Sequence, residues 1–115
     1  MEINAFIYLE FVRNIMRDLP GTSEGLCFGT PAFYIKKKLL ARMWENGEVI
    51  VVYNSERELW MKKDPETFFI TDHYRNYPSM LINLERVQPD DLKELLVTAW
   101  LGKASKTLLK EYQNR

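Results

Sequence analysis

The two ends of this 115-residue chain carry apolar residues at helical spacing, while its middle carries short apolar runs broken by turn residues. That contrast predicts helices packed around a sheet. Near the start, Ala5, Leu9, Val12, Met16 and Leu19 share one helical face. Asn4 is placed to cap this helix, its side-chain oxygen accepting from the free amides of the first turn. The helix is expected to end near Asp18, because Pro20-Gly21 follows. From Gly25 to Tyr53 the helical period disappears. Runs at 26–28, 32–35, 39–44 and 48–53 read as an antiparallel meander, with a break at Gly29-Thr30-Pro31 and a tight hairpin turn at Asn46-Gly47.

Beyond the meander, Ser55 and Glu58 have capping-box spacing and predict a short helix over 56–63. Asp64-Pro65-Glu66 suits one further helical turn, with Asp64 as its cap. Residues 68–71 and 80–84 are two more strands by pattern, joined by the polar and aromatic loop 72–78. Pro89, Asp90 and Asp91 open a strong helix with the apolar stripe Leu92, Leu95, Leu96, Ala99 and Trp100, which Gly102 is expected to close. A last helix starts near Ser105, with Leu108, Leu109 and Tyr112 inside and Lys103, Lys106 and Lys110 outside.

Length and composition fit one domain over residues 1–115, with 46% hydrophobic and 28% charged residues and 13% aromatics to fill its core. Sixteen basic and sixteen acidic residues cancel, so any grip on nucleic acid has to come from local charge. Residues 36–63 hold seven basic against four acidic side chains, and residues 64–94 hold three against seven. Cys27 is the one cysteine, which rules out an intramolecular disulfide. Glu2 and Glu10 interrupt the start where a signal peptide would be basic and then apolar, and no stretch approaches the roughly 20 apolar residues of a membrane span. A cytoplasmic protein is expected.

Candidate chemistry is sparse. Cys27 and His73 are the single Cys and His, and Cys27 lies in an apolar run, where cysteine behaves as a small hydrophobe rather than a nucleophile. One of each does not make a metal site, and no glycine-rich phosphate loop is present, so neither catalytic residues, metal nor cofactor is expected. Lys36-Lys37-Lys38 falls at a hairpin tip, with Tyr34 before it and Arg42 after it. Such a tip can reach phosphates, and lysines there also serve simply to solvate a hairpin. Lys62-Lys63 ends the middle helix, where cations complement the helix dipole. In loop 72–78, Arg75 stands among rings able to stack on bases.

The run Leu19-Pro20-Gly21-Thr22-Ser23-Glu24, followed by Phe28-Gly29-Thr30-Pro31-Ala32-Phe33, resembles the opening signature of the MmcQ/YjbR family of small bacterial proteins. Asp64-Pro65-Glu66-Thr67-Phe68-Phe69 with His73-Tyr74 resembles its central segment, and Pro89-Asp90-Asp91-Leu92 through Trp100 to Tyr112 its closing helices. The resemblance implies an α+β fold, a curved antiparallel sheet meander packed by an N-terminal helix and two C-terminal helices. It also implies DNA binding, by analogy with a double-wing fold, and it brings no catalytic residues. Where many members have a glycine-containing turn, this chain has Lys36-Lys37-Lys38.

The resulting expectation is a non-enzymatic DNA-binding protein. Lys36, Lys37, Lys38 and Arg42 on one hairpin, with Lys62 and Lys63 beside it, are the candidates for phosphate contact. Tyr34, Arg75 and Tyr77 are candidates for base or groove contact. The alternative is a protein-interaction or chaperone-like module that binds a partner on the exposed sheet face, which an uncovered apolar patch there would favour.

Overall fold

The computed structural model describes residues 3–114; Met1, Glu2 and Arg115 lie outside the described residues. Helix α1, Ile3–Arg17, buries Ala5, Leu9, Val12 and Met16 as its periodicity predicts. Asn4 is inside this helix rather than capping it, so the cap assigned from sequence does not form. The chain then turns at Gly21, φ 77°, into the first of six strands among the described residues. These are β1 (Thr22–Cys27), β2 (Thr30–Ile35), β3 (Lys38–Met43), β4 (Val49–Tyr53), β5 (Phe68–Phe69) and β6 (Ser79–Asn83).

The strands form one antiparallel sheet in the order β1-β2-β3-β4-β6-β5. β1 starts four residues earlier than its apolar run, because Thr22, Ser23 and Glu24 pair with Ile35, Tyr34 and Phe33 although they are polar. A polar edge strand is how a sheet avoids pairing with other chains, and here Glu24 also takes two hydrogen bonds from Arg13 of α1, at 2.8 and 2.7 Å. Between β2 and β3 the register slips. Tyr34 pairs with Leu39 and Phe33 with Ala41, which leaves Leu40 as a bulge. Both Leu40 and Ala41 therefore reach the core, and the bulge bends the hairpin.

The turn at Asn46-Gly47 is wider than a two-residue hairpin. Trp44 N–H donates to the Val49 carbonyl, and only Gly47 has positive φ, at 72°. α1 presses on this turn so closely that a Cβ at residue 47 would lie 2.5 Å from the Ala5 Cβ.

Helix α2, Arg57–Lys63, lacks the capping box expected from Ser55 and Glu58. The Asn54 side chain accepts from the Glu56 amide instead, at 2.7 Å. The following turn forms around Asp64, whose carbonyl accepts from the amides of Thr67 and Phe68. Helix α3, Pro89–Lys103, buries Leu92, Leu95, Leu96, Ala99 and Trp100. It runs on through Gly102, which does not close it: that residue lets the last turn lie against Tyr53, whose Cε2 would be 3.0 Å from an added Cβ. Helix α4, Lys106–Gln113, is capped by Ser105, whose hydroxyl accepts from the Leu108 amide.

The main core lies between one face of the sheet and helices α1 and α3, around the fully buried Trp100. Its indole Nε1 donates to the Pro20 carbonyl at 2.8 Å, tying α3 to the end of the α1 turn. On the other face Val49, Val51 and Leu81 make a smaller cluster, covered by Trp44, Phe69 and Tyr74.

Candidate nucleic-acid interface

The antiparallel order puts three segments at one end of the sheet: the β2–β3 turn, the exit of β4 into α2, and loop 72–78 entering β6. At the turn, Ile35 pairs with Lys38, so Lys36 and Lys37 are its two central residues. All three lysines are exposed. Lys36 has φ 55°, in the left-handed region that glycine occupies without the steric strain a Cβ brings.

Arg42 does not join them. It lies on the opposite sheet face from the helices, beside Ala32 and Val51, and is 8% exposed. Its Nη1 donates to the Thr30 hydroxyl at 3.0 Å and to the Met43 carbonyl at 3.3 Å, and it pairs with Glu45 at 3.5 Å. Its guanidinium also lies 5.4 Å from the Phe28 ring centre. Buried and engaged in this way, Arg42 is not available to a phosphate, and the expectation that it contacts one is withdrawn. The signal was in its neighbours, since Leu39, Leu40, Ala41, Met43 and Trp44 make it the one charge in the apolar run 39–44.

Lys62 and Lys63 are exposed but do not flank the hairpin. They end α2, which packs on edge strand β5 through the Trp60 and Phe68 rings, 5.1 Å apart. β5 is three strand spacings, about 14 Å, from β3. The Lys63 ammonium turns back over Trp60, 5.2 Å from the ring centre.

Tyr34 is half-buried, its ring laid against Gly25 of β1 and its hydroxyl donating to the Leu26 carbonyl at 2.9 Å. Burial, with the Cys27 thiol nearby, raises this phenol above its ordinary pKa. Cys27 itself is only half-buried at the end of the edge strand, next to exposed Leu26 and Phe28, so it is not the core cysteine its apolar neighbours predict.

Loop 72–78 is ordered by a residue the sequence reading passed over. Arg57, in the first turn of α2, donates from Nη1 to the carbonyls of Tyr74, Tyr77 and Ser79 and from Nη2 to that of Arg75. A cation in the first helical turn runs against the helix dipole, and that mismatch was the available clue. Held this way, the loop opens with a 3₁₀ turn, Asp72–Tyr74, and stacks the His73 and Tyr77 rings at 5.7 Å and 28°. Tyr77 is 55% exposed, and the Arg75 side chain is exposed while pairing with Asp72 at 2.7 Å. Lysines and rings therefore share one end of the sheet, with Asp72 offsetting part of the charge.

On the sheet face opposite the helices, Trp44, Phe69 and Tyr74 pack against Val49, Val51 and Leu81, while Phe28 beside Arg42 is 83% exposed. Among the described residues no three His, Cys, Asp or Glu side chains group as metal ligands, and no helix is long and apolar enough to cross a membrane.

Two curated relatives, uncharacterized proteins of Mycobacterium bovis and Mycobacterium tuberculosis, are each 37% identical over 49 residues. The matched segment covers 43% of this chain and 38% of each relative. The crystal structure of Deinococcus radiodurans protein DR2400, a DUF419 domain, superposes with a TM-score of 0.74 at 19% identity, over 91% of this chain and 87% of that one, which shows a shared fold. The YjbR family model matches residues 17–101, most of the length and all six described strands, and the chain belongs to the YjbR family.

Proposed function

We propose that this protein binds DNA through its phosphates, without catalysis, using Lys36, Lys37 and Lys38 as the principal contact and Arg75 and Tyr77 as flanking ones. The observation that carries the reading is Lys36 at φ 55°. A positive φ is what a two-residue hairpin turn requires, and glycine would meet it without the about 1–2 kcal/mol that a side chain costs there, so the turn geometry does not account for a lysine at this position. An exposed lysine between two more lysines has no packing reason to be there. Phosphate contact gives it one. Arg42 is excluded from the contact set because it is buried among partners within the chain, and Lys63 because its helix packs on β5, three strands from β3. With few contacts and near-zero net charge, binding is expected to be weak and to disregard sequence. A cytoplasmic setting fits this reading.

The test replaces the triplet by Lys36→Gly, Lys37→Gln and Lys38→Gln, which keeps the turn and removes the charge. Anisotropy of a labelled random duplex then reports affinity and its salt dependence. Loss of affinity, with a slope lower by about three units, supports the assignment. Unchanged affinity and slope contradict it.

A further inference from the structure

A groove of about 730 Å³ opens between α2 and α3, and the lysine triplet is not among the residues lining it. Its apolar walls are unusual for a surface. Leu59 of α2 is 66% exposed and Leu101 of α3 is 46% exposed, and both line it, with Trp60 and Tyr53 between them. Gly102 lets α3 approach the Tyr53 ring, so the floor is aromatic.

The charge at this groove is the reverse of that on the turn. Glu56, Asp91 and Glu94 line it against Lys63, with the Lys103 ammonium over the lining Tyr53 ring. None of the three carboxylates is in an ion pair among the described residues. Asp91 stands in the first turn of α3, where the helix dipole favours it. Glu56, the N-cap residue of α2, is favoured in the same way, whereas Glu94, one turn further along α3, has no comparable reason. The rings already show what they accept, since the Lys63 ammonium sits over Trp60 and that of Lys103 over Tyr53, at 5.2 and 4.2 Å from the ring centres. A cation over an aromatic face is attracted by the ring quadrupole.

From this pairing of exposed leucines with unpaired carboxylates, we propose that the α2–α3 groove docks a basic amphipathic segment of a protein partner. The partner's apolar side chains, at helical spacing, fill the space between Leu59 and Leu101, and its lysines or arginines meet Glu56, Asp91 and Glu94. Charge complementarity selects this occupant. A nucleic acid or an acidic peptide is repelled by the same three carboxylates. The site is independent of the DNA reading, because the lysine triplet does not line it.

The probe is a fluorescein-labelled Leu/Lys peptide of about four helical turns, with leucines at i, i+3, i+4 and i+7, titrated with the full chain. Saturable binding is expected, and the same peptide with glutamate for lysine is expected not to bind. Two exposed-surface variants separate the two contributions: Leu59→Ser with Leu101→Ser, and Glu56→Gln with Glu94→Gln. Each is expected to weaken binding about tenfold or more, a change of about 1.4 kcal/mol, while replacement of the lysine triplet leaves it unchanged. Failure of the wild-type chain to bind the basic peptide overturns the proposal. So does binding that both groove variants leave intact, because that is attraction to the surface at large.

Discussion

Arg57 Nη1 donates to the Ser79 carbonyl at 2.8 Å, fastening the first turn of α2 to the first residue of β6 across 22 residues of chain. The same guanidinium takes the carbonyls of Tyr74, Arg75 and Tyr77, so one side chain sets the path of the whole loop. Arg57→Ala leaves those acceptors without their charged donor and is expected to destabilise the fold by about 2–3 kcal/mol. Arg57→Lys recovers only part of this, since an ammonium lacks the planar fork that spans several carbonyls. Urea midpoints measure the loss. Hydrogen exchange locates it, with protection falling at residues 74–79 while the amides of α3 keep theirs.

Lys36→Gly separates stability from binding. Glycine at φ 55° relieves the left-handed strain, partly offset by the greater freedom glycine has in the unfolded chain. The net effect is a stabilisation of about 0.5–1 kcal/mol. DNA affinity is expected to fall in the same variant, because one phosphate contact is lost. A higher urea midpoint with weaker binding is the predicted pair of results.

Two glycines in the left-handed region differ in what surrounds them. Gly29 has open space around it, whereas a side chain at Gly47 meets Ala5 of α1. Gly29→Ala is expected to lose about 1–2 kcal/mol from backbone strain alone. Gly47→Ala adds a steric clash, typically about 1–3 kcal/mol for an overpacked site, and the thermal midpoints of the two variants should rank accordingly.

Acid stability is set in part by two carboxylates. Hydrogen bonds from Arg13 hold Glu24 below its ordinary pKa, and the Thr67 hydroxyl does the same for Asp64. Because each folded pKa lies below its unfolded value of about 4.3 or 3.9, each contribution is complete above that value. It is lost as pH falls through the folded pKa. Urea midpoints should stay level from neutral pH to about pH 5 and then decline. Glu24→Gln should start lower at neutral pH and decline less steeply.

The sequence made the helices and the strand order of the meander legible because burial imposes a period. The stripes of α1 and α3 fall where spacing puts them, and Lys36-Lys37 forms a turn between two apolar runs. The failures came from roles read off local spacing. Asn4 lies inside α1 instead of capping it, and for Ser55 and Gly102 another group decided otherwise, Asn54 in place of Ser55 and Tyr53 against Gly102. Arg42 and Arg57 are both basic residues whose partners are distant or main-chain, at Thr30 and at three carbonyls of one loop and that of Ser79. A count of positive charges along the chain cannot separate these from the free lysines of the turn. Strand register and burial do.

The DNA reading stands or falls on salt dependence. Fluorescence anisotropy of a labelled random-sequence duplex, titrated with the protein from about 50 to 200 mM salt, measures it directly. Contact through Lys36, Lys37, Lys38 and Arg75 predicts log affinity falling against log salt with a slope of about −3 to −4. A flat profile, or no binding at the lower salt, contradicts the assignment of this end of the sheet to DNA.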